Sequence, residues 1–423
     1  MKHPLKVIII GAGTGGLCLA HGLKSDRVAV EVFEREHSPT DHQPGFRLSI
    51  SATGSAALRD CLPSAQFNRL AESAADPSQG VTFLDHRLNR LLAIDFPHTD
   101  RGDAEAERPI SRTVLRRALL EGLEGVVRFG RKFTGFEDAA DGSVTAHFAD
   151  GTFVRGDVLV GADGAGSRLR SQLLPQARRI ETGIVAIGGK MPLNETTRVS
   201  VPRPILRGPT PILGPRGCFL FASAIQYRDS RPSLAPVQSD PSFDEKQEYV
   251  MWGFSAHRAK FGSVDLESLD GEQLKAAALA LMPDWHPLLR QLVQKADAST
   301  VSAFTVKTSV PIPPWPTRNV TLLGDALHNM TPFRGIGANT ALRDAANLRR
   351  ALVSVDRGEA DLIPALAAYE RDMIDYGFAA VRTSLSDMER FHAERGLSRA
   401  LTKAAFRVAD WIPPLKAVFL GGR

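Results

Sequence analysis

The chain of 423 residues is poor in cysteine. Its three cysteines, Cys18, Cys61 and Cys218, stand far apart and form no metal-binding or redox spacing. That argues against a disulfide-stapled scaffold or a cysteine-built metal site, and leads to an expectation of buried thiols in a reducing cytoplasm. No apolar run reaches the length of a membrane-crossing helix, so no transmembrane segment is expected. The first residues pass straight into an apolar strand rather than a secretory leader. A basic run of the kind that binds nucleic acid is also missing. The net charge of +5, from 52 basic and 47 acidic residues, reads as a mildly basic surface that could help draw an anionic cofactor. There is no repeat and no long low-complexity tract.

What is present is a globular composition. An apolar share of 43% and a charged share of 23% suit a chain long enough for two or three domains with a sizeable core. Leu5 to Ile10 is a continuous apolar strand, followed by Gly11-Ala12-Gly13-Thr14-Gly15-Gly16, a helix to about Lys24, and a second strand, Val28 to Phe33, ending at Glu34. This is G-x-G-x-x-G between a strand and a helix, with an acid 23 positions after Gly11. Glycines at Gly11, Gly13 and Gly16 let the backbone approach a pyrophosphate, and the helix N-terminus offsets its charge. An acid at Glu34 suits an adenosine ribose with a free 2′-hydroxyl, as in NAD or FAD; Arg35 beside it leaves NADP open. An ordinary glycine-rich turn is the plainer alternative.

A second stretch, Val320 to Leu348, repeats the logic. An apolar strand runs into Gly324-Asp325, then a turn-rich loop with Pro332, Gly335 and Gly337, then a helix expected to start near Asn339, a good N-cap type. Asp325 at the strand end could hold hydroxyls, and the helix start makes an anion site. A third stretch, Gly161-Ala162-Asp163-Gly164 through Arg170, also places an acid and glycines at a strand end before a helix; its plain reading is a turn. Arg47, after Pro44-Gly45-Phe46, reads as an exposed loop cation or a cofactor contact. Arg112, near a helix start where a cation opposes the dipole, reads as a surface residue or the partner of an anion.

Val126 to Val160 alternates apolar and polar residues, with breaks at Asp141-Gly142 and Asp150-Gly151, and predicts a small antiparallel ribbon. Ile180 to Val310 has strand-like segments without glycine-loop-helix partners, which predicts a separate antiparallel sheet. Phe219, Phe221, Met251, Trp252 and Phe254 lie there as plain core or as the wall of an apolar substrate pocket facing the Pro332 to Gly337 loop. The polar segment Arg228 to Lys246 predicts a mobile loop. The expected organisation is therefore α/β: a Rossmann-type cofactor fold (1–179 and 311–355), interrupted by an antiparallel-sheet substrate domain (180–310), with C-terminal helices (356–423), broken near the end by Trp411-Ile412-Pro413-Pro414.

Taken in order, the three glycine-and-acid stretches resemble those of the class A FAD-dependent aromatic monooxygenases, the para-hydroxybenzoate hydroxylase-like family, which includes tetracycline-inactivating enzymes and polyketide hydroxylases. The resemblance rests on Gly11, Gly13, Gly16 and Glu34; on Gly161, Asp163, Gly164, Ser167 and Arg170; and on Gly324, Asp325, Ala326, His328, Pro332, Gly335, Gly337 and Asn339. It implies FAD as cofactor, NADH or NADPH as co-substrate, O2, and hydroxylation or epoxidation of an aromatic or polycyclic small molecule through a flavin C4a-hydroperoxide. It further implies that Arg112 contacts the cofactor, that Asp163 and Asp325 serve FAD, and that Pro332, Gly335, Gly337 and Arg47 lie on the flavin side. His328, a motif position, is expected to be structural, and no side chain is assigned as a general base. Many members read Gly-Gln-Gly where this chain has Gly335-Ile336-Gly337, so flavin docking is expected while substrate-facing chemistry could differ. A flavin oxidoreductase without oxygen insertion is the alternative enzyme. A halogenase is disfavoured, since its Trp-x-Trp-x-Ile-Pro is matched only by Trp411-Ile412-Pro413. A non-catalytic flavin-binding protein is a more distant reading.

Overall fold

The computed structural model describes residues 4–39, 41, 47–96, 107–227, 247–394 and 396–412. Pro44-Gly45-Phe46, the segment Arg228 to Lys246, and Pro413-Pro414 lie outside the described residues. The chain divides into two compact units, one of 1–73, 111–180 and 307–385, the other of 74–110, 181–306 and 386–423.

The first unit is built on a five-stranded parallel sheet in the order Val320–Leu322, Val158–Gly161, Lys6–Ile10, Ala29–Phe33, Val127–Arg128. Its central strands are continuous apolar runs because a parallel sheet is covered on both faces. Val7, Ile8 and Ile9 are fully buried, as are Val158, Leu159 and Val160. Helix Thr14–Ser25 follows the first strand, and helix Gly337–Asp356 packs beside it through small residues. A Cβ on Gly15 would meet the carbonyl oxygen of Ala341 at 3.2 Å, so the two backbones approach closely. The expected ribbon is present as three antiparallel strands, Phe133–Asp138, Val144–Phe148 and Phe153–Gly156, with Gly142 and Gly151 at positive φ in its turns.

The second unit centres on a seven-stranded sheet in the order Ser302–Ser309, Arg179–Pro192, Tyr249–His257, Phe219–Ile225, Thr210–Leu213, Gly80–Asp85, Arg90–Asp95. Its long central pairs are antiparallel, whereas Thr210–Leu213 runs parallel to Gly80–Asp85. That parallel pairing (Ile212 opposite Leu84) brings 74–110 into this sheet, although the sequence reading places the segment with the cofactor fold. Residues 386–423 also group with this unit. Helix Gly396–Trp411 lays Phe406 on Phe83 with ring centroids 4.7 Å apart, and Asp410 accepts the amide of Ala93 at 3.0 Å. Among the described residues no helix is long and apolar enough to cross a membrane.

Candidate cofactor site

Parallel pairing fixes where the three glycine-and-acid stretches lie. Ile10 is in register with Phe33 and with Gly161, and Gly161 with Leu322. Gly11, Glu34, Ala162-Asp163 and Leu323-Gly324-Asp325 therefore leave the sheet side by side at the carboxyl ends of four strands, where open α/β sheets bind their ligands.

The glycines differ in what they do. Gly11 has φ +106°, and a Cβ there would lie 2.4 Å from the Ala162 carbonyl oxygen. Gly16 is just as tight against the carbonyl oxygen of Gly11. These two hold the loops together. Gly13, directly before the helix, would meet no protein atom within 4 Å, so its bareness leaves room for something other than protein. Glu34 is 8% exposed; one carboxylate oxygen accepts the Ala12 amide at 2.7 Å and the other the Glu36 amide at 3.1 Å. Arg35 points outward and is exposed.

One residue that the sequence reading passes over, Arg116, completes this corner. Arg116 donates to the Ala12 carbonyl at 3.1 Å and to the Glu36 carboxylate at 2.5 Å. It stands one helical turn after Arg112, which is exposed at the start of helix Arg112–Leu120. The 3.6-residue period was the available signal, since Arg112 and Arg116 share a face. Arg47, at the start of strand Arg47–Ile50, is only 8% exposed, so it is not the exposed loop cation that its sequence context favours.

Asp163 caps helix Arg168–Leu173, with Oδ2 accepting the Arg168 amide at 2.9 Å. Its Oδ1 is buried without a hydrogen bond, and burial outweighs the hydrogen bonds and raises its pKa. Arg170, itself buried, ties this loop to the third stretch. One guanidinium nitrogen donates to the carbonyls of Ala165, at 3.1 Å, and Ala326, at 2.9 Å.

In the third stretch Asp325 is exposed, while every other residue from Val320 to His328 is buried. A Cβ on Gly337 would lie 4.0 Å from Asp325 Oδ1, so the acid and the helix start are neighbours. Gly335, at φ +64°, turns the chain after Pro332–Arg334 into the helix. Both Pro332 and Gly335 are exposed, and the loop is anchored by reciprocal hydrogen bonds between Thr331 and Ser384. The helix begins at Gly337 rather than near Asn339. Asn339 is not an N-cap: its amide accepts from Ser51 N at 2.9 Å and donates to Ser49 O at 2.8 Å, clamping the first turn to 49–51. His328 is buried, with Nε2 2.7 Å from Asp344 Oδ2. The same oxygen accepts the Gly324 amide at 2.7 Å, while Oδ1 accepts the Tyr376 hydroxyl at 2.6 Å. Cys18 and Cys61, distant in sequence, meet inside this unit. A hydrogen bond to Cys61, together with burial, pushes the Cys18 thiol well above its usual pKa.

The five apolar residues expected to line a substrate pocket do not form one wall. Pairing sets Leu220 opposite Phe254 and Ala222 opposite Trp252 on one face of the second unit's sheet. Trp252 and Phe254 are fully buried there with Leu274, Trp285 and Leu289, which makes them core. Phe219, Phe221 and Met251 take the opposite face. Phe219 is buried in a stack on Phe391, whereas Phe221 and Met251 are half-buried. On that face a Cβ on Gly253, opposite Phe221, would meet nothing within 4 Å. Lys190, opposite Met251, holds its ammonium 4.9 Å from the Tyr249 ring centroid, with its pKa lowered by burial.

A bare Gly13 before one helix, the buried acid Glu34 and the exposed acid Asp325 beside a second helix N-terminus thus gather at one edge of the sheet, a set of groups that fits a dinucleotide. A family model described as an FAD binding domain matches residues 4–202 and 273–384. The dual O-methyltransferase/FAD-dependent monooxygenase elcB of Phaeosphaeria nodorum is 33% identical over 402 residues, covering 88% of this chain and 43% of its own length. This chain thus spans a little under half of that relative. The aurachin C monooxygenase/isomerase of Stigmatella aurantiaca is 29% identical, covering 88% of this chain and 85% of its own. A crystal structure of a candidate FAD-containing monooxygenase from Photorhabdus luminescens superposes with a TM-score of 0.81 at 32% identity, covering 93% of this chain and all of that one. The chain belongs to the FAD-binding class A flavin monooxygenase family.

Proposed function

We propose that the chain uses NADH or NADPH and O2 to hydroxylate or epoxidise an aromatic or polycyclic small molecule. The observation that carries this reading is the meeting of Gly11, Glu34, Asp163 and Asp325 at adjacent strand ends in one unit. FAD bound there would accept a hydride from the nicotinamide and activate oxygen.

The chain's own residues then have separable roles. The open backbone at Gly13 and the start of helix Thr14–Ser25 would take the pyrophosphate. Glu34, oriented by the Ala12 and Glu36 amides, would accept from the adenosine ribose. Asp325 would accept hydroxyls of the ribityl chain. The amides at the start of the 20-residue helix Gly337–Asp356 would favour negative charge on the ring edge nearest them. Asp163, with a buried unpaired oxygen, is available for a ligand donor. Phe221, Met251 and Lys190 share a sheet face suited to a flat apolar ligand bearing an anionic group. The relatives named as monooxygenases support oxygen insertion as the reaction.

The test is rapid-mixing absorbance of the FAD-loaded protein with NADH and NADPH in oxygenated buffer, against a panel of phenolic and polyketide compounds. Faster flavin reduction with one compound, and a product gaining one atom of labelled oxygen, is the expected result. A reduced or oxidised product without that atom would assign the chain instead to flavin oxidoreductases that do not insert oxygen.

A further inference from the structure

Helix Gly396–Trp411 has two apolar sides. One is buried in the second unit through Phe406 and Ala409. The other faces solvent. From Ala400 to Ile412 the exposed residues are Ala400, Leu401, Ala404, Ala405, Arg407, Val408, Trp411 and Ile412. All are apolar except one, and that one is a cation. Leu401 is 62% exposed, Val408 52% and Trp411 87%. They recur at the spacing of a single helix face. A surface helix of a monomer ordinarily presents its polar side outward, so a helix that is apolar on both sides points to something that covers the outward one.

The helix's acid is turned away from this stripe. Asp410 accepts the Ala93 amide and pairs with Arg90 at 3.2 Å. Arg407, exposed within this stripe, is the one charge among its exposed residues, so from Ala400 to Ile412 the outward side carries positive charge only. The stripe is also narrow. The twelve helical residues from Ala400 to Trp411 give a face about 18 Å long and about 10 Å wide, on the order of 200 Å². A stable protein partner requires about 800 Å² on each side, so this face is too small to hold a second copy alone. A lipid surface needs no matching shape. It accepts apolar side chains below the headgroups, tolerates Trp at the boundary and attracts flanking cations.

We propose that this helix face rests on an anionic bilayer surface and attaches the protein peripherally. Among the described residues no helix can cross the membrane, so attachment would be shallow and reversible.

The test is sedimentation of the FAD-loaded full chain with vesicles of phosphatidylcholine alone or mixed with phosphatidylglycerol. The protein should pellet with the mixed vesicles, less at high salt, and with a blue shift in tryptophan emission that Trp411→Phe removes. The double variant Leu401→Glu/Val408→Glu should bind at least about tenfold more weakly, and Arg407→Glu should lose the preference for the anionic lipid. Unchanged flavin content and circular dichroism would show that the variants are folded, as expected for exposed positions. Failure of the native chain to pellet with either vesicle would overturn the proposal. So would undiminished binding by the double variant, or a dimer in solution that the double variant dissociates. None of these readouts depends on the monooxygenase reading.

Discussion

His328 and Asp344 lie 2.7 Å apart, both shut off from solvent, and the carboxylate oxygen they share also receives the amide of Gly324. Burial acts against a charged imidazole, but the charge of Asp344 and its hydrogen bond outweigh it, and the His328 pKa is raised. Through this pair the helix Gly337–Asp356 holds the turn that presents Asp325. Asp344→Asn keeps the shape while removing the charge. It should cost about 1.5–3 kcal/mol, as expected for losing buried hydrogen bonds to a charged group, and should lower FAD affinity by loosening the turn. A thermal melt and a flavin titration check both effects; an unchanged melting temperature would show that the pair is not structural.

Gly11 and Gly13 should separate in their effects. Gly11→Ala forces a Cβ against the Ala162 carbonyl at an unfavourable φ, so it should destabilise the apoprotein as well as empty it of flavin. Gly13→Ala meets no protein atom and its φ of −82° suits alanine, so the apoprotein should melt as before while FAD binding weakens. Equal FAD affinity in Gly13→Ala and the native chain would contradict a pyrophosphate at that position.

Asp325→Ala should lower flavin occupancy by the loss of a charge-assisted hydrogen bond, about 1.5–3 kcal/mol, without altering the exposed site's apoprotein stability. Glu34→Ala should weaken FAD to a similar degree but should also soften the Gly11–Gly16 loop, because it strips the Ala12 amide of its acceptor. Equilibrium flavin titration of both variants, alongside melts without flavin, distinguishes the two.

Glu370 is buried, which pushes its pKa up to about 7 even though Thr317 and Thr321 donate to it at 2.6 and 2.9 Å. A folded-state value above the unfolded one means that ionisation opposes folding. The cost is absent below about pH 4.5, grows as the pH rises through about 7, and then levels off near 3 kcal/mol at most. Glu370→Gln should therefore match the native chain at low pH and exceed its stability above pH 7. Denaturant midpoints across that range provide the check; a constant difference would rule out titration of Glu370.

Trp252→Ala and Phe221→Ala should behave differently because they lie on opposite faces of one sheet. Trp252 is fully buried in the core, and its truncation should cost about 3–5 kcal/mol. Phe221 is half-buried beside the bare Gly253 and should be removable with the fold and flavin intact. On the proposed function, its loss should raise hydrogen peroxide release per nicotinamide consumed. Full coupling in a folded Phe221→Ala protein would remove that face from the substrate site.

The sequence by itself determined the local units. Apolar runs ending in glycine and acid specified strands that stop where a ligand could bind, and Asp141-Gly142 and Asp150-Gly151 specified the ribbon, because strand burial and turn chemistry act over a few residues. Periodicity did not say which face of a strand is inward. Phe219 with Phe221, and Trp252 with Phe254, could each be paired along a strand, but only cross-strand register and the covering helices put Trp252 in the core and Phe221 on the other face. Nor could local pattern show that Asn339 is used against Ser49 and Ser51, that Arg116 rather than Arg112 closes on Ala12 and Glu36, or that Cys18 meets Cys61. These are contacts between segments far apart in the chain. They are decided by how the parallel strands register and how helices pack on them, since a side chain's partner depends on what the fold places opposite it.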